Sequence, residues 1–461
     1  MPILGGKNSW PPGAPTLSTP TPVLPTPTAP SRFRLPTRQS LLDFALVLGG
    51  SAFATGAGFV LKVLIGRGLG DSALGLFGMC YATLTVASTV GDLGIRYSLI
   101  TLAARARAED PGRARAYEAA GLLLKLATGT ATLALGWLLA PWAAEVLFRK
   151  PEVAPYLQIA SFGVLLWSLW DGLEGSLQAS QRFRDSAALR IAMEGARLVA
   201  FLGLWLYRDG LMLTMDRFLW LYFLAPALAV AGGGWLMASS LRGPRDPVAL
   251  RSRELLSFAP GVFFYRTCTL VLLFLDSLAL ARYGALGEVG RFEAAKGLAY
   301  AILLVSESLG MVLLPKVNQL KSLQALKDML RRFAVYFGAV SVLAVGWLSV
   351  AGILLGLFGP AFTRPEVIRT FQILVVATLF TIPATTMGMV LLSLGQPGAL
   401  GRVAAFQVVL GIAAFPFTVV QGGLVGTALT TTGLQLVGVL AMLAVLRGQV
   451  AGRSTHPAFE A

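Results

Sequence analysis

The sequence predicts an all-α membrane protein, with about 12 transmembrane helices in two homologous six-helix lobes around a central cavity. Three observations carry that expectation. Of 461 residues, 55% are hydrophobic and 13% charged, against about 25% charged in an ordinary soluble domain. Apolar runs recur from Leu41 onward, many longer than the roughly 18 residues that mark a membrane-spanning helix. A twelve-residue segment is also written twice, FRKPEVAPYLQI from Phe148 and FTRPEVIRTFQI from Phe362, with six positions identical. Backbone groups inside a bilayer must pair internally, so runs of this length and uniformity are helices rather than alternating barrel strands.

Taken in order, the chain opens on a Pro- and Thr-rich segment, PPGAPTLSTPTPVLPTPTAP. Residues 1–40 are expected to be an extended, disordered cytoplasmic tail. With no apolar h-region, this tail is not a secretory signal peptide. The spans then fall at about 43–65, 74–102, 118–140, 154–179, 187–207, 217–240, 256–281, 287–315, 333–358, 367–394, 403–419 and 425–446. The first six make an N-lobe over 41–240 and the last six a C-lobe over 256–447. Residues 241–255 form a cytoplasmic linker and 448–461 a cytoplasmic tail. GRGLGDSALG, from Gly66, misses dinucleotide-binding spacing and follows a membrane helix, so it reads as a tight outer turn.

The duplicated segment is one of several matches at a nearly constant shift. Arg67, Gly75 and Phe77 meet Arg282, Gly290 and Phe292, and Gln181 meets Gln396, all 215 residues on. The halves are therefore repeats. Six spans per repeat is an even number, so both have one topology and are related by an axis along the membrane normal. This is a transporter layout, in which two lobes rock about a shared site.

Lys and Arg set the orientation. Arg105, Arg107, Arg113, Arg115, Arg242, Arg251 and Arg253 lie on one side of the spans with most of the remaining basic residues, whereas the other side holds few. Both termini are expected in the cytoplasm, in a cell (inner) membrane. The net charge of +15 then reflects loops facing an anionic leaflet and calls for no nucleic acid. The single histidine, His456, precludes a His-based catalytic or metal constellation, and Cys80 and Cys268 fit no zinc or CxxC spacing. No Walker A pattern occurs, and no cofactor is expected. The chain reads as a transporter and not as an enzyme.

Charges within spans are expensive and mark pathways or pairs. Asp92 and Arg96 are four apart, and Arg190, Glu194 and Arg197 form a ladder on span 5 beside Asp171 and Glu174 of span 4. These read as structural ion pairs. Lys62 and Lys125 lie nearer span ends, where snorkelling and a cavity role are both open. Arg266 falls near the middle of span 7, and Lys296 and Glu307 share a face of span 8. Asp276 and Glu307 are candidates for ion coupling or gating. Pro260 is expected to kink span 7.

IGRGLGDSALGLFGMCYATLTVASTVGDLGIRYSLI, from Ile65, resembles the start of Wzx-type polysaccharide flippases. These belong to the MOP superfamily together with MATE exporters and lipid II flippases. The resemblance rests on Arg67, Leu69, Gly70, Gly75, Phe77, Gly91, Gly94 and Arg96. It implies flipping of a polyprenyl-pyrophosphate-linked oligosaccharide for surface polysaccharide synthesis, with membrane lipid, a polysaccharide polymerase and a co-polymerase as partners. It further implies that Lys62, Arg96, Arg266 and Lys296 meet the pyrophosphate. Arginine suits that role through bidentate bonds to phosphate oxygens. The alternatives are an ion-coupled MATE-like cation exporter and a non-transporting envelope assembly protein.

Overall fold

The computed structural model describes residues 38–206, 214–238, 242, 247–258, 260–317, 337–393 and 397–454, and every regular element among them is helical. The Pro-rich segment, His456, Gln396 and the side chain of Glu307 lie outside the described residues. In the first half the helices are α1 Arg38–Leu69, α2 Asp71–Asp92, α3 Ile95–Glu109, α4 Pro111–Trp142, α5 Ala154–Ala179, α6 Phe183–Leu206 and α7 Met215–Ala238. A linker helix, α8 Val248–Phe258, precedes α9 Pro260–Tyr283 and α10 Leu286–Val317. Then come α11 Phe337–Ser349, α12 Ala351–Gly356, α13 Pro365–Ser393 and α14 Pro397–Ser454.

Local chemistry sets the boundaries. Gly70 turns α1 into α2 at φ 89°, a conformation open to glycine at little cost. Asp110 caps α4 by accepting from the Gly112 and Arg113 amides at 2.8 and 3.2 Å, with Pro111 at the first helical position. The expected single span over 74–102 is broken. Leu93 and Gly94 adopt left-handed φ values of 49° and 78° and separate α2 from α3. Pro260 does not kink span 7; it starts α9, where its missing N–H leaves nothing unpaired.

Among the described residues, eight helices are long and apolar enough to cross a membrane. One of them, Gly398–Gly448, reverses direction at Gly423, whose φ/ψ of 53°/−130° is non-helical. Thr430 Oγ1 reaches back to Thr418 Oγ1 at 2.8 Å, and Gln407 donates to Leu434 O at 2.7 Å. α14 therefore supplies two antiparallel spans. The charged α6 and α10 and the short α11 complete the expected set. The protein is a multi-pass membrane protein.

In the first half α4 packs on α5, α5 on α7 and α2 on α5; in the second, α13 packs on α14, α14 on α9 and α10 on α13. α2 joins the halves through α9 and α10, so residues from Ala45 onward form one compact unit. Its largest apolar cluster runs across this junction, from Leu74, Phe77 and Met79 to Val289, Phe292 and Ala295.

The two copies of the repeated segment lie at the Gly70 end of the bundle. Each packs against the opposite half. Lys150 donates to Ala281 O at 2.6 Å, and Arg282 donates to Val146 O at 2.8 Å and to Leu147 O. Conversely, a Cβ on Gly66 would lie 3.2 Å from the Phe358 ring and 3.3 Å from that of Phe362. A cavity of about 640 Å³ is lined by Gly66, Arg67, Gly70 and Asp71 together with Gly356, Phe358 and Phe362.

Candidate functional site at the lobe interface

Three polar groupings interrupt the apolar bundle. The first joins the lobes. Lys296 of α10 donates to Asp276 Oδ1 and to Leu273 O, both at 2.6 Å, and to Ser277 Oγ at 3.3 Å. Ser277 Oγ donates in turn to Glu293 Oε1 at 2.6 Å, and Lys62 of α1 reaches Glu293 Oε2 at 3.1 Å. Thr431 Oγ1 approaches Asp276 Oδ2 at 3.3 Å. Asp276, Ser277, Glu293 and Lys296 are all buried. The Lys296 ammonium also sits 5.5, 5.9 and 5.6 Å from the ring centres of Phe274, Phe292 and Tyr300, within cation–π range. Two cations and two carboxylates make this chain neutral, which is how charge survives in a low-dielectric interior.

The second grouping lies wholly in the first half. Lys125, 1% exposed, pairs with Asp92 and with Asp171 at 2.6 Å. Arg96 pairs with Asp171 and with Glu174 at 3.0 Å, and Arg190 pairs with Glu174. Alongside, Arg197 holds Glu194 at 2.8 Å and lies 4.1 Å from the Tyr222 ring centre. The expected pairing of Asp92 with Arg96 along one helix face is replaced. The left-handed break at Leu93–Gly94 puts them on different helices, where Asp92 accepts the Arg96 amide at 3.2 Å and takes Lys125 as its ionic partner. Lys125 does not snorkel, because two carboxylates hold it inside. Arg190 binds across to α5 rather than along α6.

The third grouping is Arg266 with Tyr97. Arg266 Nη1 donates to Tyr97 Oη at 2.7 Å, and its guanidinium carbon lies 5.0 Å from that ring centre. Arg266 is in the first third of α9 and not near the middle expected for span 7, because the helix starts at Pro260; it lies about 15 Å along the helix from Asp276. Among the described residues no carboxylate lies within ion-pair distance of it. Of the four expected cations, Arg266 stands alone with Tyr97, and Arg96 belongs to the first-half network through Asp171 and Glu174. Lys62 and Lys296 belong to the Glu293 cluster.

Glu293 escaped the reading from sequence. It stands near the start of α10, between Glu288, Arg291 and Lys296, and so reads as a helix-end charge. A signal was present in the repeat: its partner at the 215-residue shift is Gly78. A Cβ there would lie 2.6 Å from Glu293 Cγ, so the glycine makes room for the carboxylate.

Two groups outside the spans have shifted protonation. The Glu254 carboxyl of α8 is held below the usual range by a hydrogen bond from Tyr117 and by Arg251. Burial pushes the Lys150 ammonium down, partly offset by Glu152 and Glu288.

Two repeated lobes of membrane helices, crossing at α2 and α10, make up the fold. Solved structures share it. A multidrug resistance MATE family transporter in an inward-facing conformation is 14% identical, covering 87% of this chain and 96% of that one, with a TM-score of 0.70. The lipid II flippase MurJ, inward closed, is 15% identical over 87% of each chain, with a TM-score of 0.68. A MOP superfamily transporter from Pyrococcus furiosus is 14% identical over 91% and 96%, with a TM-score of 0.65. Among curated proteins no match is found. The polysaccharide biosynthesis protein family matches residues 41–321, and the chain belongs to that family.

Proposed function

We propose that this protein flips a polyprenyl-pyrophosphate-linked oligosaccharide across the cell membrane by alternating access between its lobes. It acts as a transporter without catalysing a covalent reaction. The observation that carries the reading is Arg266. A guanidinium in a membrane helix with a tyrosine and, among the described residues, no carboxylate beside it suits an anionic ligand. Membership of the polysaccharide biosynthesis family supports a sugar-bearing anion, and pyrophosphate supplies the oxygens that a guanidinium pairs with two at a time.

In this reading the Gly70 end faces outward, both termini are cytoplasmic, and the lobes divide at the 241–255 linker. Arg266 makes the first phosphate contact, and Lys62, in the cluster about 15 Å further along α9, makes a later one. Arg96 and Lys296, already paired with carboxylates, shape the field around them. Asp276 and Glu307 are the candidates for coupling. A polymerase and co-polymerase take up the flipped product. Deleting the gene should abolish export of lipid-linked oligosaccharide, and the intact gene should restore it. Normal export in the deletion strain would refute the assignment.

A further inference from the structure

Lys62 and Glu293 face each other across the lobe junction on unequal terms. Lys62 keeps 24% of its side chain exposed, against 7% for Glu293. Among the described residues, Glu293 Oε2 at 3.1 Å is the only hydrogen-bond acceptor of the ammonium. Glu293 is differently placed, because its other oxygen accepts from Ser277 Oγ at 2.6 Å, and Ser277 also accepts from Lys296 at 3.3 Å. If Lys62 left, the carboxylate would keep a donor and an adjoining cation. Gly297 of α10 lies beside the Lys62 ammonium, where a Cβ would make ordinary contact at 3.8 Å from Nζ. A lysine head is a compact charge on a flexible stem and can change partners by rotation alone.

We infer that Glu293 is the resident anion of the phosphate site, holding Lys62 while the site is empty and yielding it to the pyrophosphate of the substrate. This rests on the function proposed above. An incoming pyrophosphate replaces the negative charge that Lys62 loses, and Glu293 falls back on Ser277. Lys62 belongs to α1 and Glu293 to α10, so the exchange also removes an ionic tie between the lobes. Ligand binding thereby favours the state in which they separate. Glu293 acts as a specificity-determining residue: only a ligand that outcompetes a carboxylate for an ammonium takes the site.

The test is binding of inorganic pyrophosphate to the purified full-length chain at fixed ionic strength. Glu293→Gln removes the competitor and should tighten binding on the order of tenfold, the scale of one charged hydrogen bond. Lys62→Gln in the same background should erase the gain. Ser277→Ala, a smaller change, strips the carboxylate of its alternative donor and should weaken binding severalfold. This keeps the test decisive if Glu293→Gln fails to fold. Unchanged affinity in Glu293→Gln, a gain that survives Lys62→Gln, or a Ser277→Ala variant that binds as tightly as wild type would overturn the exchange. If the wild type binds pyrophosphate and Arg266→Lys weakens it, the proposed function outlives that failure. If the wild type binds no pyrophosphate, both fall together.

Discussion

Gly75 of α2 and Gly290 of α10 meet backbone to backbone. A Cβ on Gly75 would lie 2.9 Å from the Gly290 nitrogen and 1.8 Å from Leu286 O; a Cβ on Gly290 would lie 2.8 Å from the Gly75 nitrogen and 1.9 Å from Asp71 O. The two are partners in the internal repeat, so the crossing sits where the axis relating the lobes must pass. Small residues let membrane helices approach this closely. Glu293 and Gly78, a further pair at the same shift on the same helices, also face each other. The polar cluster is thus built around the symmetry axis and breaks the symmetry at once, with glutamate on one side and glycine on the other.

Gly290→Ala should therefore lower stability by about 1–3 kcal/mol through overpacking against a carbonyl that cannot retreat. Thermal unfolding in detergent reads this directly. Gly234→Ala, with open space around its Cβ, is the control and should unfold like wild type. Equal behaviour of the two variants would mean that the crossing is looser than described.

The repeated loops tie each half to the other at the Gly70 end. Alternating access requires these ties to break, since Arg282 and Lys150 both bond across the junction. Cysteines at 150 and 282, in a background lacking Cys80 and Cys268, joined by a reducible bifunctional reagent, should stop transport. Reduction should restore it. Transport that continues in the cross-linked protein would remove the loops from the gating movement.

Lys125 is the hub of the first-half network. Lys125→Met leaves the buried Asp92 and the partly buried Asp171 with one cation fewer, and breaking a buried pair of this kind is destabilising by about 3–5 kcal/mol. The expected outcome is poor folding or a large fall in unfolding temperature. Wild-type stability would instead favour a side chain that snorkels to the surface.

Glu254 carries a pH signature. Its folded carboxyl lies below the ordinary value of 4.5. The stability it contributes is therefore complete above about pH 4.5 and is lost as pH falls through the lower folded value. Unfolding temperatures of wild type and Glu254→Gln should differ at neutral pH and converge in acid. A gap that is constant with pH would show that the charge of Glu254 does not anchor α8.

Much of this was legible in the sequence. Hydropathy exposed the spans and the 215-residue shift exposed the lobes, because both are written in periodic, local form. The membership of Asp171, Glu174, Arg190, Glu194 and Arg197 in ion pairs was readable for the same reason, since buried charges need partners. The partners themselves were not. Asp92 and Arg96 are four apart, but the turn at Leu93–Gly94 reorients them. Lys62 and Glu293 are 231 residues apart, and only tertiary packing brings them together. Pro260 was misread because a proline inside an apolar run and one at its first residue look alike until the helix start is known.

The central claim is that Arg266 recognises a phosphate-bearing substrate. Its most direct test is flipping of a polyprenyl-pyrophosphate-linked oligosaccharide in vesicles holding either wild type or Arg266→Lys at equal density. Lysine keeps the charge and loses the paired donors. The expected result is normal insertion with transport reduced on the order of tenfold, as for the loss of one charge-assisted hydrogen bond. Wild-type flipping by the lysine variant would contradict the assignment of Arg266 to the pyrophosphate.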